Sequence, residues 1–161
     1  MRVSKLAIAL GLVALGIGGA QAKDERRTPY WASISAGKAM MRTGPGRNYP
    51  ATWLYGRSGL PVKVVETYPD WRKVQDPGGQ TGWMLQRLLS DERTAIVTAQ
   101  EPADLHEQPE AGARIAYKAE RGVVGRISRC ASRWCLFDVG GRKGYVRIDQ
   151  IWGVDQNETV D

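Results

Sequence analysis

The chain has 161 residues, a formal net charge of +6 and 25% charged residues. That length suits one ordinary domain or two small ones, and the charge is spread without a Lys/Arg block, whereas nucleic-acid binders usually carry a clustered basic stripe, so no nucleic-acid partner is expected. Six Trp, six Tyr and nineteen Gly against a single Phe, together with short apolar runs, point to small β-rich units rather than helices.

In chain order, residues 1–22 read as a secretory signal peptide. Arg2 and Lys5 form a short basic start, Leu6 to Gly19 is apolar and uncharged, and Ala20-Gln21-Ala22 is a small-residue cleavage site. An uncleaved anchor is the rival, but a bilayer core needs about 20 apolar residues and this run is shorter. No Cys lies near the site, which disfavours a lipid anchor. Cleavage after Ala22 removes two cations and no acid, leaving 139 residues at +4. The mature chain has no second long apolar run, so no stable membrane insertion is expected after cleavage, and the expected location is the periplasm.

Next comes Met-Met-Arg-Thr-Gly-Pro-Gly-Arg-Asn-Tyr-Pro-Ala-Thr-Trp, Met40 to Trp53. It is not a phosphate loop: no Lys follows the second glycine, and position 49, where a dinucleotide fingerprint needs Gly, is Tyr49. Gly44-Pro45-Gly46 reads as turn chemistry, with Pro fixing one φ and the glycines freeing their neighbours. Pro61–Thr67 alternates as a strand. Trp71–Asp76 reads as a second strand, Pro77–Gln80 as a hairpin turn, and Thr81–Gln86 as a third strand.

The same parts recur about sixty residues on. Trp71 matches Trp134, Gly82-Trp83 matches Gly144-Tyr145, and Gly59 matches Gly122. Two tandem units follow, residues 30–90 and 94–153, joined by Ser90–Thr94. So short a joint implies closely restrained neighbours. The expected fold class is all-β: two small barrels.

Four segments of the first unit carry a family resemblance: Ala39–Gly46 (AMMRTGPG), Gly59–Val65 (GLPVKVV), Trp71–Val74 (WRKV) and Thr81–Met84 (TGWM). They resemble bacterial SH3-like (SH3b) domains, whose pattern runs from an Arg-Ser-Gly-Pro segment through a Gly-led strand and W-x-x-V to a final Gly-Trp. The second unit has WCLF and GYVRI but lacks the Arg-Ser-Gly-Pro segment. The tandem form, with Trp152-Gly153-Val154 near the end, looks like exported SH3-like proteins. The resemblance implies half-open β-barrels and a binding or structural role, not a reaction.

Cys130 and Cys135 flank a four-residue turn in Cys-Ala-Ser-Arg-Trp-Cys. In an exported chain they are expected to form a disulfide. The rival, a nucleophilic Cys served by His106, needs a helix-borne thiol and a larger domain, so His106 is expected as an exposed loop residue. Two Cys and one His match no structural zinc site. No metal, cofactor or catalytic residue is expected. Asp149 is expected to cap the short turn before the last strand. Trp71, Trp83, Trp134 and Tyr145 are expected in barrel cores or at barrel ends.

Five residues flank the long first loop and the turns beside it: Arg47, Tyr49, Trp53, Tyr55 and Tyr68. Aromatic faces stack on sugars or hold extended peptides, with Arg fixing polar groups. These five are the candidate ligand-binding residues. Their rival reading is local packing or an interface between the units. The functional expectation is a non-catalytic cell-envelope binding module for peptidoglycan, a peptide or an envelope protein. The alternative is a protein-interaction scaffold without a wall ligand.

Overall fold

The computed structural model describes residues 26–161; the expected signal peptide lies outside the described residues. Among the described residues no helix is long and apolar enough to cross a membrane. The first unit holds β1 (Tyr30–Ile34), β2 (Ala39–Arg42), β3 (Ala51–Tyr55), β4 (Pro61–Tyr68), β5 (Trp71–Gln75), β6 (Thr81–Leu85) and β7 (Leu89–Ser90). The second holds β8 (Thr94–Val97), β9 (Ala103–His106), β10 (Ile115–Ala119), β11 (Val124–Ala131), β12 (Trp134–Val139), β13 (Arg142–Arg147) and β14 (Ile151–Trp152). A single 3-10 turn follows the sixth strand of each, Gln86–Leu88 and Ile148–Gln150.

Both sheets are seven-stranded, with orders β3-β2-β6-β5-β4-β1-β7 and β10-β9-β13-β12-β11-β8-β14. The order is the same strand for strand, and all the pairings are antiparallel. The chain is thus all-β, two tandem small barrels, as the repeat and the alternation imply.

Period-two alternation builds each core. In the first, Ile34, Met41, Val62, Val64, Val74 and Met84 are fully or almost fully buried. In the second, Val97, Leu105, Phe137 and Val146 take the corresponding ground. Gly82 and Gly144 are repeat-equivalent, and each sits where another strand crosses closely. A Cβ on Gly82 would lie 2.4 Å from Met41 Cγ, and one on Gly144 2.6 Å from Leu105 Cβ. Both are glycine because the core side chain of the second strand occupies that volume.

The Cys130–Cys135 disulfide is formed, and both residues are fully buried in the second core. The Pro77–Gln80 hairpin is also as expected: Asp76 N donates to Gln80 O at 2.9 Å, and Gln80 N donates to Asp76 Oδ1 at 2.8 Å.

Two expectations are corrected at this level. His106 is not an exposed loop residue. It ends β9, is 9% exposed, meets Ala113 O through Nδ1 at 2.8 Å, and packs edge-on against Trp134. The loop after β9 curls back to supply that partner, which the sequence pattern does not encode. Asp149 does not cap its 3-10 turn through its side chain; it instead accepts from Arg147 Nε and Nη2 at 3.1 and 2.7 Å. Trp71 and Trp83, expected in the core or at a barrel end, are each 8% exposed and stand outside the two core clusters. They lie on the outer face of the first sheet, because Met84, between Trp83 and Leu85, takes the inward position.

Candidate functional site

The first unit carries an open cleft of about 690 Å³ at one end of its barrel. Ala32 on β1, Leu85 at the end of β6 and Leu89 on β7 give it an apolar floor. Trp71 and Arg72 enter from the start of β5, and Tyr30 from the start of β1. Pro69 and Asp70 form the tight turn between β4 and β5. Gln86 N donates to Asp70 O at 2.9 Å, which ties the 3-10 turn to that loop and carries Arg87 to the rim. Arg47 reaches the opposite rim from the loop between β2 and β3.

Arg72 occupies an inward register position, since it pairs directly with the buried Met84. A guanidinium cannot enter an apolar core unpaired, so it turns to the barrel mouth. There Nη1 donates to Tyr68 O at 2.9 Å and Trp71 O at 2.8 Å, and Nε donates to Tyr30 Oη at 3.1 Å. Arg47, Arg72 and Arg87 make no ion pair with a described residue, and among the acidic groups of the lining only Asp91 is paired, with Arg26 at 3.0 Å. Three guanidiniums over an apolar floor with an indole beside them suit a carboxylate-bearing ligand with apolar side chains.

Of the five residues singled out in the sequence, only Arg47 lines this cleft. The Tyr49 ring lies against the loop itself: a Cβ on Gly44 would fall 2.3 Å from its Cδ1. Arg42 Nη1 holds Tyr49 O at 2.7 Å. The glycines are there to seat the tyrosine. Trp53 is 59% exposed on β3 and does not line the cleft. Tyr68 is 55% exposed and packs edge-on against Trp83, which also carries Lys73 Nζ at 6.0 Å from its ring centre. Tyr55 is a correction: it is buried in the first core, and its hydroxyl donates to Asp76 Oδ2 at 2.8 Å. Burial, then the hydrogen bond to Asp76, push this phenol well above its ordinary range.

Sequence reasoning missed Tyr30, Asp70, Arg72 and Arg87 and placed Trp71 only as a packing residue. The available signal was Arg72, a cation on the same face of its strand as Val74. Outside the cleft, the hydrogen bonds from Arg147 hold the Asp149 carboxyl below its usual range. No group of three or more His, Cys, Asp or Glu able to hold a metal occurs among the described residues.

A family model described as bacterial SH3 domain matches residues 35–91 and again 99–153. No curated protein matches. Among solved structures, the chain is similar to an NlpC/P60 family protein from Bacillus cereus at 15% identity, covering 76% of this chain and 56% of that one, with a TM-score of 0.35. NlpC1 and NlpC2 from Trichomonas vaginalis match at 12% and 13% identity, with TM-scores of 0.34 and 0.35, each over 81% of this chain. They are covered over 48% and 51% of their own length, so the chain spans about half of the solved chains it matches.

Proposed function

From the premise that this chain belongs to the bacterial SH3 domain family, we propose that it is an exported, non-catalytic binding module of the cell envelope, acting through the cleft of its first unit. The observation that carries the reading is the cleft itself: Arg47, Arg72 and Arg87, unpaired among the described residues, surround the floor of Ala32, Leu85 and Leu89. Ligands that fit are wall stem peptides or exposed peptide segments of an envelope protein, both of which bear carboxylates. Fold alone assigns no reaction, and in this reading the lining residues hold a ligand rather than transform it.

Retention of the processed protein on purified sacculi tests the wall-binding version. Retention that weakens from low to moderate salt is expected, because three cations carry the contact. Recovery equal to that of a control protein at both salt levels removes it. A contact between the two units, Trp31 edge-on against Trp152 with ring centres 4.7 Å apart, favours a second reading, a scaffold presenting one fixed surface to an envelope protein. That reading predicts a reproducible crosslinked partner in cells and no sacculus retention.

A further inference from the structure

The strand registers give a residue-by-residue correspondence between the units. Val62 faces Ala32, and Gly125 faces Ala95, so Tyr30 corresponds to Arg93. Trp71 pairs with Leu85 and Trp134 with Arg147, so Arg72 corresponds to Cys135. Ile34 pairs with Leu89 and Val97 with Ile151, so Asp91 corresponds to Gly153. The cleft therefore has a defined counterpart in the second unit, and the chain's own C-terminal tail reaches it at Arg93 and beside Cys135, through that residue's disulfide partner Cys130.

The tail leaves Gly153 and turns back across the barrel mouth. Val154 is buried in the second core. Arg93 Nη1 and Nη2 donate to the two carboxylate oxygens of Glu158 at 2.6 and 3.1 Å. Val160 forms an antiparallel bridge with Cys130: Cys130 N donates to Val160 O at 2.8 Å, and Val160 N to Cys130 O at 3.2 Å. The Val160 side chain packs against the cluster that contains both cysteines. Residues two apart in an extended segment share a face, so Glu158 and Val160 present one acidic-then-apolar face to the mouth.

In the first unit the chain cannot turn back, because after Ser90 it runs on into β8. Arg72 stands at the mouth in place of the disulfide, bonded to Tyr68 O and Tyr30 Oη. Beside it the cleft stays open among the described residues, with its apolar floor and three guanidiniums.

We propose that this cleft takes an extended acidic peptide segment of a partner protein, with a carboxylate two residues from an apolar side chain, as the second unit takes the chain's own tail. Charge complementarity and the occupied counterpart both point to that chemistry. The second unit, already filled, is not a ligand site in the intact chain. This inference rests on the reading of the cleft as a ligand site and goes beyond it by naming the ligand class.

The full-length protein is titrated with a synthetic Val-Asp-Gln-Asn-Glu-Thr-Val-Asp peptide, the sequence of residues 154–161, and the indole N–H signals of Trp71 and Trp134 are followed by NMR. The expected result is a saturable shift at Trp71 with Trp134 unmoved. Replacing the peptide's Glu by Gln, or introducing Arg47→Gln/Arg87→Gln in the protein, should weaken binding about tenfold, the loss of charge-assisted hydrogen bonds. That double variant leaves the structural bonds of Arg72 in place, so it tests the rim and not the fold. A shift at Trp134 alone, or no saturable shift at millimolar peptide, overturns the inference. If sacculi still retain the protein in that case, the cleft remains a ligand site for a wall component. If sacculi fail as well, both readings fall.

Discussion

Tyr55 and Asp76 show how one side-chain pair can hold a small barrel together. The phenol is buried among Ile34, Val62 and Met84, and its proton bridges to a carboxylate that also fixes the Pro77–Gln80 turn. Its pKa is raised in the fold, so its contribution is complete below the ordinary phenol value of ~10 and is lost as pH rises beyond it. Tyr55→Phe should therefore cost about 1 kcal/mol at neutral pH, the worth of one net hydrogen bond. It should also lose less additional stability than the parent between pH 7 and pH 11. Urea unfolding of both proteins at the two pH values checks this, and equal alkaline losses would discard the idea. The sequence places Tyr55 beside a glycine turn and among charged residues, which reads as a rim position. What it does not display is that Tyr55 pairs with Ala39 across the β2–β3 hairpin and so faces inward. Arg72 is the opposite case, a cation at an inward register whose anomaly was visible in Trp-Arg-Lys-Val and marks the cleft.

Strands and hairpins were far more legible than sites. Alternation, the Pro-Gly-Gly-Gln turn and a repeat of about sixty residues suffice for two like-ordered sheets, because each depends on neighbours close in sequence. The cleft draws on β1, β5, β6, β7, a 3-10 turn and three connecting segments, and its assembly depends on contacts that no local pattern carries. The units also differ in how they close the same mouth. The first uses Arg72 and Tyr30; the second uses Cys130, Cys135 and the tail strand at Val160. A covalent link across a short loop restricts the unfolded chain by about 2 kcal/mol in the chain-entropy picture, a large share of the stability of a unit with so small a core. Cys130→Ala/Cys135→Ala should lower the unfolding free energy by about that amount. Reductant should lower it in the parent and leave the variant unmoved. Parent stability indifferent to reductant would refute this role for the bridge.

Between the units, Trp31 and Trp152 meet edge to face with ring centres 4.7 Å apart. Lys63, directly across the β1–β4 ladder from Trp31, lies 4.9 Å from that indole's centre and 2.7 Å from Asp155 of the tail. Arg57 Nη1 adds a bond to Gly122 O at 3.0 Å. The tail thus touches both units, through Asp155 to the first and through Glu158 and Val160 to the second. Half-exposed ion pairs contribute at most about 1 kcal/mol, whereas a large aromatic buried at an interface contributes more, so the two tryptophans dominate the coupling. The intact chain should unfold in one cooperative transition despite having two cores. Trp152→Ala removes one partner and leaves Trp31 against a cavity. We expect a loss of about 2 kcal/mol, below the usual cost of a fully buried Trp because Trp152 is only half-buried, and a split of the single transition into two. Scanning calorimetry of parent and variant, with Lys63→Ala beside them, separates the contributions. A Trp152→Ala protein that still melts in one transition at the parent temperature would show that the units are not coupled through this contact. The fixed placement of the cleft relative to the second barrel would then need another cause.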